Sequence, residues 1–273
     1  MTADSHEYLL GTDVAEAQRL GLQHLLWAGE ALALWERCGF TRGKVVLDLG
    51  CGPGWTTIDL ARIVGPTGRV IAIDVSSRYI NHLKQRKQEL GLSQIDARVS
   101  SAAEFEIDRG SLDGVFSRWV FSFLQNPADI VRRVATALRP GGVFAVQDYF
   151  NYTAMSLAPR SAVFDRLVAA ISRSYRETGG DLEIAGKLPR MMIDAGLAVR
   201  EIKPHLTAAR PHESKWLWPD TFFTNYVPRL VSGGYLSQED AAAFMAEWAE
   251  RSRDPGTFFF SPPFFDVVAV KEK

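Results

Sequence analysis

The segment from Val45 to Gly54, with the sequence VVLDLGCGPG, constrains the fold of this chain more than any other segment. A short apolar run rich in β-branched residues is typical of a strand buried on both faces of a parallel sheet. Three glycines then follow at alternate positions, where they permit a sharp turn and leave the backbone open to a ligand. Residues 55–64 have a helical pattern. Together these features predict a strand, a glycine loop and a helix, which is where open α/β sheets bind nucleotide-like cofactors.

A second predicted strand, residues 69–74, ends in Asp74, which lies 20 residues after Gly54. An acid at this place in a βαβ unit can accept hydrogen bonds from both hydroxyls of a ribose. The glycines form a Gly-x-Gly-x-Gly pattern rather than the Gly-x-Gly-x-x-Gly that faces a dinucleotide pyrophosphate. The spacing therefore favours a ligand without a pyrophosphate.

Strand and helix patterns alternate along the first two thirds of the chain. Strands are predicted at 45–49, 69–74, 97–99, 114–117 and 143–147, and helices at 55–64, 77–90 and 128–138. This alternation predicts an α/β fold with a doubly wound, mostly parallel sheet and right-handed crossovers. Before this core, residues 13–38 have the apolar spacing of one or two helices, with Asp13 as a helix cap.

The stretch Asp48–Gly54, with Asp74 downstream and the LRPGG sequence at 138–142, resembles class I S-adenosylmethionine-dependent methyltransferases of the bacterial small-molecule type. The likeness covers residues 44–148 well and the remainder in outline. It implies a Rossmann-like sheet of seven strands, S-adenosyl-L-methionine (SAM) as cofactor and a small-molecule methyl acceptor. It also implies an N-terminal helical lid at 1–43 and a core formed by 44–204 and 264–273. Residues 205–263 would be an inserted helical cap, whose tryptophans and phenylalanines suggest a partly apolar acceptor.

The resemblance also implies which residues bind the cofactor. They are Asp48, Gly50, Cys51, Gly52, Gly54, Asp74, Val75, Ser76, Ser101, Ala102, Ala103, Arg118 and Trp119. Ser101 stands where relatives often carry an acid for the adenine amino group, and a neutral hydroxyl is a weaker acceptor.

Several of these residues have structural alternatives. Asp48 could serve only to stabilise the turn, and Asp74 could cap the following helix, although Ser76 is better placed to do so. Cys51 could be an inert buried thiol, and Trp119 could belong to the core. Arg118 could bind a carboxylate of either cofactor or acceptor.

No catalytic residue is assigned from the sequence. A general base is needed only if the acceptor is an unactivated hydroxyl or an ammonium group, and its candidates are His205, Asp148, Tyr149 and Tyr152. Aromatic faces tolerate a sulfonium cation, which makes Tyr8, Trp27 and Trp119 candidates for its surroundings.

The composition limits the classes of partner that the chain is expected to bind. With 31 basic and 32 acidic side chains and no cationic stripe, a nucleic-acid partner is not expected. Two cysteines and five histidines without ligand spacing predict neither a disulfide framework nor a metal site. The absence of a signal-peptide pattern and of a long apolar run leads us to expect a cytoplasmic protein without a membrane partner. The oligomeric state is left open.

Two other functions are compatible with a glycine loop after a strand. One is a catalytically silent SAM-binding regulatory module, since a fold and a cofactor do not by themselves imply turnover. The other is an NAD-dependent oxidoreductase, which the glycine spacing disfavours.

Overall fold

The computed structural model describes residues 10–272, in which helices and strands alternate as far as residue 149 except for two consecutive strands at 95–99 and 112–118. The α-helices of residues 10–272 are α1 (Val14–Arg37), α2 (Trp55–Val64), α3 (Ser77–Glu89), α4 (Pro127–Ala137), α5 (Ala162–Glu177), α6 (Ile184–Asp194), α7 (Leu217–Ser232) and α8 (Gln238–Arg251). The strands are β1 (Val45–Leu49), β2 (Arg69–Asp74), β3 (Ile95–Val99), β4 (Leu112–Arg118), β5 (Leu138–Tyr149), β6 (Ser156–Ala158), β7 (Leu197–His205), β8 (Ala208–Ala209), β9 (Phe258–Phe260) and β10 (Phe264–Lys271).

The main sheet has seven strands in the order β3-β2-β1-β4-β5-β10-β7. Strands β1 to β5 run parallel, whereas β10 is antiparallel to both of its neighbours. Helices cover both faces, so Val46, Leu47 and Leu49 of β1 are fully buried. The strand order reverses its direction of travel between β1 and β4, which is where open α/β sheets bind ligands. The predicted fold class is confirmed.

The connection into β5 differs from the prediction. We expected residues 139–142 to stop the helix at 128–138 ahead of a strand at 143–147, but β5 begins at Leu138, directly after α4. Leu138 pairs with Leu112 and Val143 pairs with Gly114, so the register shifts between these two pairs. Residues 139–142 are thus accommodated as an irregularity within the strand rather than as a separate turn.

The N-terminal region forms one continuous helix, α1, rather than two. Its cap is Asp13, whose carboxylate accepts a hydrogen bond from the Glu16 N–H at 2.8 Å, as the sequence predicts. One side of α1 packs on the sheet layer through Leu34 and Trp35, which are fully buried. The helix thereby connects the core with the part of the chain that lies above it.

A second layer covers the carboxyl ends of the strands. It combines α7 and α8, from the predicted insertion at 205–263, with α5, which precedes that insertion. A small sheet in the order β6-β9-β8 joins the two segments, because β9 pairs with both β6 and β8. This layer, which we call the cap, therefore includes residues 156–177 in addition to the segment predicted from sequence.

The cap has an aromatic core of its own, centred on Phe223 of α7. Its ring is 5.0 Å from that of Trp248 and 5.2 Å from that of Phe244, both on α8. The ring of Phe164 on α5 lies 5.7 Å away. Such edge-to-face pairs add to the burial free energy of the rings.

We expect Phe223→Ala to lower the free energy of unfolding by about 3–5 kcal/mol, because it leaves a cavity among these rings. The matched control is Phe258→Ala in β9, where the side chain is 42% exposed. That change should cost less than about 1 kcal/mol. Urea unfolding followed by far-ultraviolet circular dichroism measures both, and equal losses would contradict a central role for Phe223.

Candidate functional site

A cavity of about 840 Å³ lies at the carboxyl ends of the parallel strands and is enclosed by α1 and α7. Its size is that of a site for a cofactor-sized ligand. The predicted cofactor residues that line it are Asp48, Gly50, Cys51, Gly52, Asp74, Val75, Ser76, Ser101, Ala102, Ala103, Arg118 and Trp119. The sheet therefore brings together residues that are up to 71 positions apart in the sequence.

The loop after β1 is held against the end of β2. The N–H groups of Gly50 and Cys51 both donate to the Ile73 carbonyl at 2.9 Å. Gly50 has a φ of +72°, and a Cβ there would lie 2.4 Å from a methyl carbon of Val120. Gly52 has a φ of +54° and no atom within 4 Å of a Cβ built on it. Gly50 thus permits close packing, whereas Gly52 leaves open space beside the cavity.

Gly54, which was also predicted to contact the cofactor, is not among the residues that line the cavity. It caps α2 with a φ of +92°, and a Cβ there would lie 2.4 Å from Leu83 of α3. A glycine is needed at this position so that the two helices can approach each other.

Asp48 links β1 to the first turn of α2. Its Oδ2 atom accepts hydrogen bonds from the hydroxyls of Thr56, at 2.7 Å, and Thr57, at 2.6 Å. The carboxyl group is buried, and this burial raises its pKa. These bonds correspond to the turn-stabilising alternative for Asp48, although the residue also reaches the cavity wall.

Asp74 binds the main chain on both sides of the cavity entrance. Its Oδ2 accepts from the Gly52 N–H and its Oδ1 from the Ser76 N–H, each at 2.9 Å. Burial raises the pKa of this carboxyl group. A carboxylate has about four acceptor positions, so two remain for a ligand. The hydroxyl of Ser76, as predicted, caps α3 by accepting from the Tyr79 N–H at 3.2 Å.

The loop after β3 contains a small turn at the cavity wall. The Ser101 hydroxyl accepts a hydrogen bond from the Ala103 N–H at 3.0 Å. This bond presents the main chain of Ala102 and Ala103 to the cavity.

The loop after β4 carries Arg118 and Trp119. Trp119 has a φ of +52°, which is rare for a non-glycine residue, and its N–H donates to the Gln147 carbonyl at 2.8 Å. Asp148 accepts from the N–H groups of Val120, at 3.1 Å, and Ser122, at 3.2 Å. The unusual backbone conformation is therefore held in place by bonds to β5.

Asp148, a predicted candidate for a general base, is engaged by these bonds. Its carboxyl group is fully buried outside the cavity lining, where it serves as an acceptor for the β4 loop. A third bond comes from the Tyr149 N–H at 2.9 Å. Burial raises the pKa of Asp148 to about 6.

The other base candidates are His205, Tyr152 and Tyr149, and they differ in whether they line the cavity. The His205 ring stacks on Phe264 at 4.7 Å, with Nε2 2.9 Å from the carboxylate of Asp266, and it lies away from the cavity. Tyr152 is buried outside the lining as well. Tyr149 does line the cavity. Tyr149 is thus the one of the four base candidates that lines the cavity.

Of the three aromatic candidates for the cofactor sulfonium, Trp119 lines the cavity. Its ring stacks between those of Trp218 and Tyr149, each 5.9 Å away. Trp27 packs edge-on against Trp218 at 4.9 Å and does not line the cavity, so its position is that of a core residue. Tyr8 lies outside the described residues.

Sequence reasoning missed the polar face that α1 presents to the cavity. Arg19 forms a buried ion pair with Glu16 and donates to the side-chain oxygen of Gln23 at 2.8 Å. The same oxygen accepts from the indole N–H of Trp218 at 3.0 Å, which ties α1 to the cap. The signal was present, since positions 16, 19 and 23 share one helix face and interrupt its apolar stripe.

His24, one position further along α1, connects two helices and a strand. Its Nε2 lies 3.0 Å from the carboxylate of Asp59 on α2, and its Nδ1 lies 2.9 Å from Nη2 of Arg118. His24 and Arg118 both line the cavity. Nothing in the local sequence around His24 indicates these partners, because they lie 35 and 94 positions away.

Within residues 10–272, no group of three or more His, Cys, Asp or Glu side chains is arranged to hold a metal ion. In the same part of the chain, no helix combines the length and the apolar character needed to cross a bilayer.

Comparison with known proteins adds sequence evidence to this geometry. A family model described as a methyltransferase domain matches residues 40–195, which is more than half of the chain. An uncharacterized protein of transposon Tn4556 from Streptomyces fradiae is 28% identical over 83% of this chain, and the match spans 62% of that protein's length. A demethylmenaquinone methyltransferase from Oceanobacillus iheyensis is 24% identical over 67% of this chain and 80% of its own.

Among solved structures, a geranyl diphosphate C-methyltransferase from Streptomyces coelicolor is similar with a TM-score of 0.56 at 18% identity. The alignment covers 91% of this chain and 77% of that one. That structure contains S-adenosyl-L-homocysteine, the demethylated product of SAM. At this level of identity the likeness shows a shared fold.

We expect Gly50→Ala to destabilise the protein more than Gly39→Ala. Both glycines have a positive φ, but a Cβ at Gly39 meets nothing within 4 Å, whereas one at Gly50 would overlap Val120. Gly39→Ala therefore isolates the backbone cost of about 1–2 kcal/mol. Gly50→Ala should lose about 1–3 kcal/mol more, the range for overpacking. Chemical unfolding measures both, and equal losses would show that the Val120 contact is not limiting.

The raised pKa of Asp148 predicts a pH dependence of stability. An aspartate titrates near 3.8 when unperturbed and near 6 here, so the folded protein binds this proton more tightly than the unfolded chain. The stabilisation from this proton is full below pH 3.8 and is lost as the pH rises through 6. Asp148→Asn lacks the titration. The stability of wild type relative to this variant should therefore fall by about 1 kcal/mol between pH 5 and pH 8. A constant difference in urea unfolding across that range would contradict the shift.

Proposed function

The chain belongs to the methyltransferase-domain family, and we propose that it transfers a methyl group from SAM to a small, partly apolar organic acceptor. The observation that carries this proposal is the position of Asp74 beside the open space at Gly52. A carboxylate with two remaining acceptor positions suits a pair of vicinal hydroxyls. The chain's own donors already fix the carboxylate at the cavity wall.

The residues around the cavity fit the parts of this cofactor. Asp74 would bind the ribose hydroxyls, and the main chain at Gly50, Cys51 and Gly52 would lie along the methionine portion. The adenine edge would lie against Val75 and Ser76 on one side and against the loop at 101–103 on the other. Asp48 would act as close support through its bonds to α2. Arg118 and Trp119 would face the reacting end.

SAM, when bound, supplies a methyl group on a positively charged sulfur. The contribution of this chain is to orient the acceptor and to exclude water, since well-oriented partners gain effective molarities of roughly 10⁵–10⁸ M. Trp119 and Tyr149 of the core and Phe222 of α7 all line the cavity. Tyr149 would be the base if the acceptor requires one.

The proposed acceptor is partly apolar because the cavity is lined by aromatic and polar groups together. Phe123, Tyr175 and Phe222 line the cavity, as do Arg19 and Gln23. The name of the Oceanobacillus relative, a demethylmenaquinone methyltransferase, is consistent with a small-molecule acceptor.

The proposal also includes the organisation of the chain and its location. We place the lid at 1–43, the catalytic core at 44–204 and 264–273 apart from residues 156–177, which pack with the cap, and the inserted part of the cap at 205–263. A cytoplasmic location agrees with two free, buried thiols, Cys38 and Cys51, whose pKa values are raised by burial.

The first test is calorimetric titration of the protein with SAM and with S-adenosylhomocysteine, with NAD as the control ligand. Both methyl-cycle ligands should bind and NAD should not. Asp74→Asn should weaken their affinity about tenfold or more, because it removes charge-assisted hydrogen bonds. The matched control, Asp129→Asn on the exposed surface of α4, should leave affinity unchanged. Binding that is equal in both variants would contradict the role of Asp74.

Turnover is tested separately by following S-adenosylhomocysteine release during a screen of small acceptors. Product formation with an aromatic or aliphatic acceptor supports the proposed reaction. Release only with charged, fully polar metabolites would contradict the partly apolar acceptor.

A further inference from the structure

Gln23 of α1 lines the cavity, and its amide oxygen is held by two donors. The Oε1 atom accepts from Nη1 of Arg19 at 2.8 Å and from the indole nitrogen of Trp218 at 3.0 Å. Guanidinium and indole nitrogens carry hydrogens to donate and cannot accept. The two contacts therefore determine which end of the amide is the oxygen, and the amino group of Gln23 is directed away from both donors.

This amino group has two N–H donors that the described part of the chain does not use. Nε2 makes no hydrogen bond within residues 10–272, although the Gln23 side chain belongs to a residue that is only 9% exposed. Unlike the indole nitrogen of Trp119, Nε2 is not fully enclosed by protein, so a molecule in the cavity can reach it. A largely buried donor without a partner is costly unless a ligand or an ordered water binds it.

The charge of Arg19, which bonds to this amide, is balanced by an acid. Its guanidinium forms an ion pair with Glu16 at 2.6 Å, and the two side chains are 4% and 1% exposed. The same guanidinium lies 5.8 Å from the ring centroid of Phe222, which also lines the cavity. Because the positive charge is already paired, this part of the wall favours a neutral polar group over an anion.

Aromatic rings continue from this amide along the cavity wall. Trp218, whose indole bonds to Gln23, stacks on Trp119 with ring centroids 5.9 Å apart, and Trp119 stacks on Tyr149 at the same distance. Trp119, Tyr149 and Phe222 all line the cavity. A molecule bound here would therefore contact apolar rings together with the neutral donors of Gln23.

We propose that Gln23 selects the methyl acceptor by donating from Nε2 to a neutral carbonyl oxygen on a largely apolar molecule. The inference rests on the proposed function, which it extends by naming the polar group of the acceptor. A carbonyl oxygen accepts hydrogen bonds and donates none, so it is complementary to an amino group that only donates. A ligand without such an oxygen would leave both N–H groups unpaired, and buried sites discriminate strongly against ligands of that kind.

The experiment compares two small probes of similar shape and polarity, acetophenone and 1-phenylethanol. The ketone oxygen can only accept a hydrogen bond, whereas the alcohol can also donate one. Each probe is titrated into protein saturated with S-adenosylhomocysteine, and its dissociation constant is measured by saturation-transfer NMR. The informative quantity is the ratio of the two constants, because changes that affect the whole cavity cancel in it.

Gln23→Glu is the informative variant because the two side chains have nearly the same shape. One carboxylate oxygen keeps the bonds from Arg19 and Trp218, while the other presents an acceptor where Nε2 presented donors. At pH 8 a carboxyl group beside Arg19 is ionised. The variant should therefore lose acetophenone and keep the alcohol, so that the ratio of dissociation constants changes about tenfold or more.

Trp218→Phe is the matched control for loosening of the cap. It removes the indole donor, and with it one bond between α1 and α7, but Arg19 still holds Oε1 and Nε2 is unchanged. If Gln23 has only a structural role, both variants should change the two affinities together. The proposal instead predicts that Trp218→Phe leaves the ratio at its wild-type value while Gln23→Glu does not.

A second measurement uses the wild-type protein alone. The side-chain amide signals of Gln23 in a ¹⁵N–¹H spectrum should move when acetophenone is added to the complex with S-adenosylhomocysteine. This readout holds even if a variant does not fold. Folding of the variants is checked by their binding of S-adenosylhomocysteine, because Gln23 is not among the residues assigned to the cofactor.

The proposal is overturned if Gln23→Glu leaves the ratio unchanged, or if acetophenone does not move the Gln23 signals. It is also overturned if wild-type protein binds benzoate more tightly than acetophenone, since the recognised group would then be an anion. Failure of the proposed function gives a different result, because wild-type protein would then not bind S-adenosylhomocysteine.

Discussion

The site depends on three carboxylates near the ends of β1, β2 and β5, buried at Asp48 and Asp148 and partly buried at Asp74, that accept hydrogen bonds from the segments around them. Asp74 binds the N–H groups of Gly52 and Ser76, and Asp148 binds those of Val120 and Ser122. Asp48 does the same for the hydroxyls at the start of α2. Burial raises the pKa of each of these acids, so each carries an energetic cost that the bonds offset. As a result, the main chain of these loops is fixed before a ligand binds. A site that is ordered in advance loses less conformational entropy on binding.

The cover of the site is held by polar contacts rather than by apolar packing alone. Gln23 accepts from both Arg19 and the indole of Trp218, so a single amide oxygen joins α1 to α7. Arg229 on α7 bonds to Asp13 at the start of α1, at 2.8 Å. Hydrogen bonds require specific geometry, so they define the separation of the two helices more sharply than apolar contact would. These bonds join α1 to α7, two helices that both line the cavity.

The sequence predicted the core well because its signals are local. A glycine loop between an apolar strand and a helix, followed by an acid at the next strand end, needs only a window of about 30 residues. Three residues make contacts that the sequence did not predict, and the cause is the same in each case. Gly54 is a glycine because of Leu83, and Asp148 is buried because it serves the backbone at 120 and 122. His205 is occupied by Phe264 and Asp266. In each case the deciding neighbour comes from another element, which no local pattern reveals.

The same reasoning changes what the aromatic cap says about the acceptor. Trp216 and Trp248 stack on each other at 4.5 Å, and Phe223 packs among the rings of α5 and α8, so most of the aromatic residues stabilise the cap itself. Tyr175 of α5 and Phe222 of α7 are the aromatic residues of the cap that line the cavity. The polar side chains that line the cavity include Arg19, Gln23 and His24 of α1 and Arg118 at the end of β4. Because buried polar groups reject ligands that leave them unpaired, they select more strongly than an apolar wall. Acceptor specificity in this enzyme should therefore follow the sequence of α1 and of the β4 loop more closely than the aromatic content of the cap.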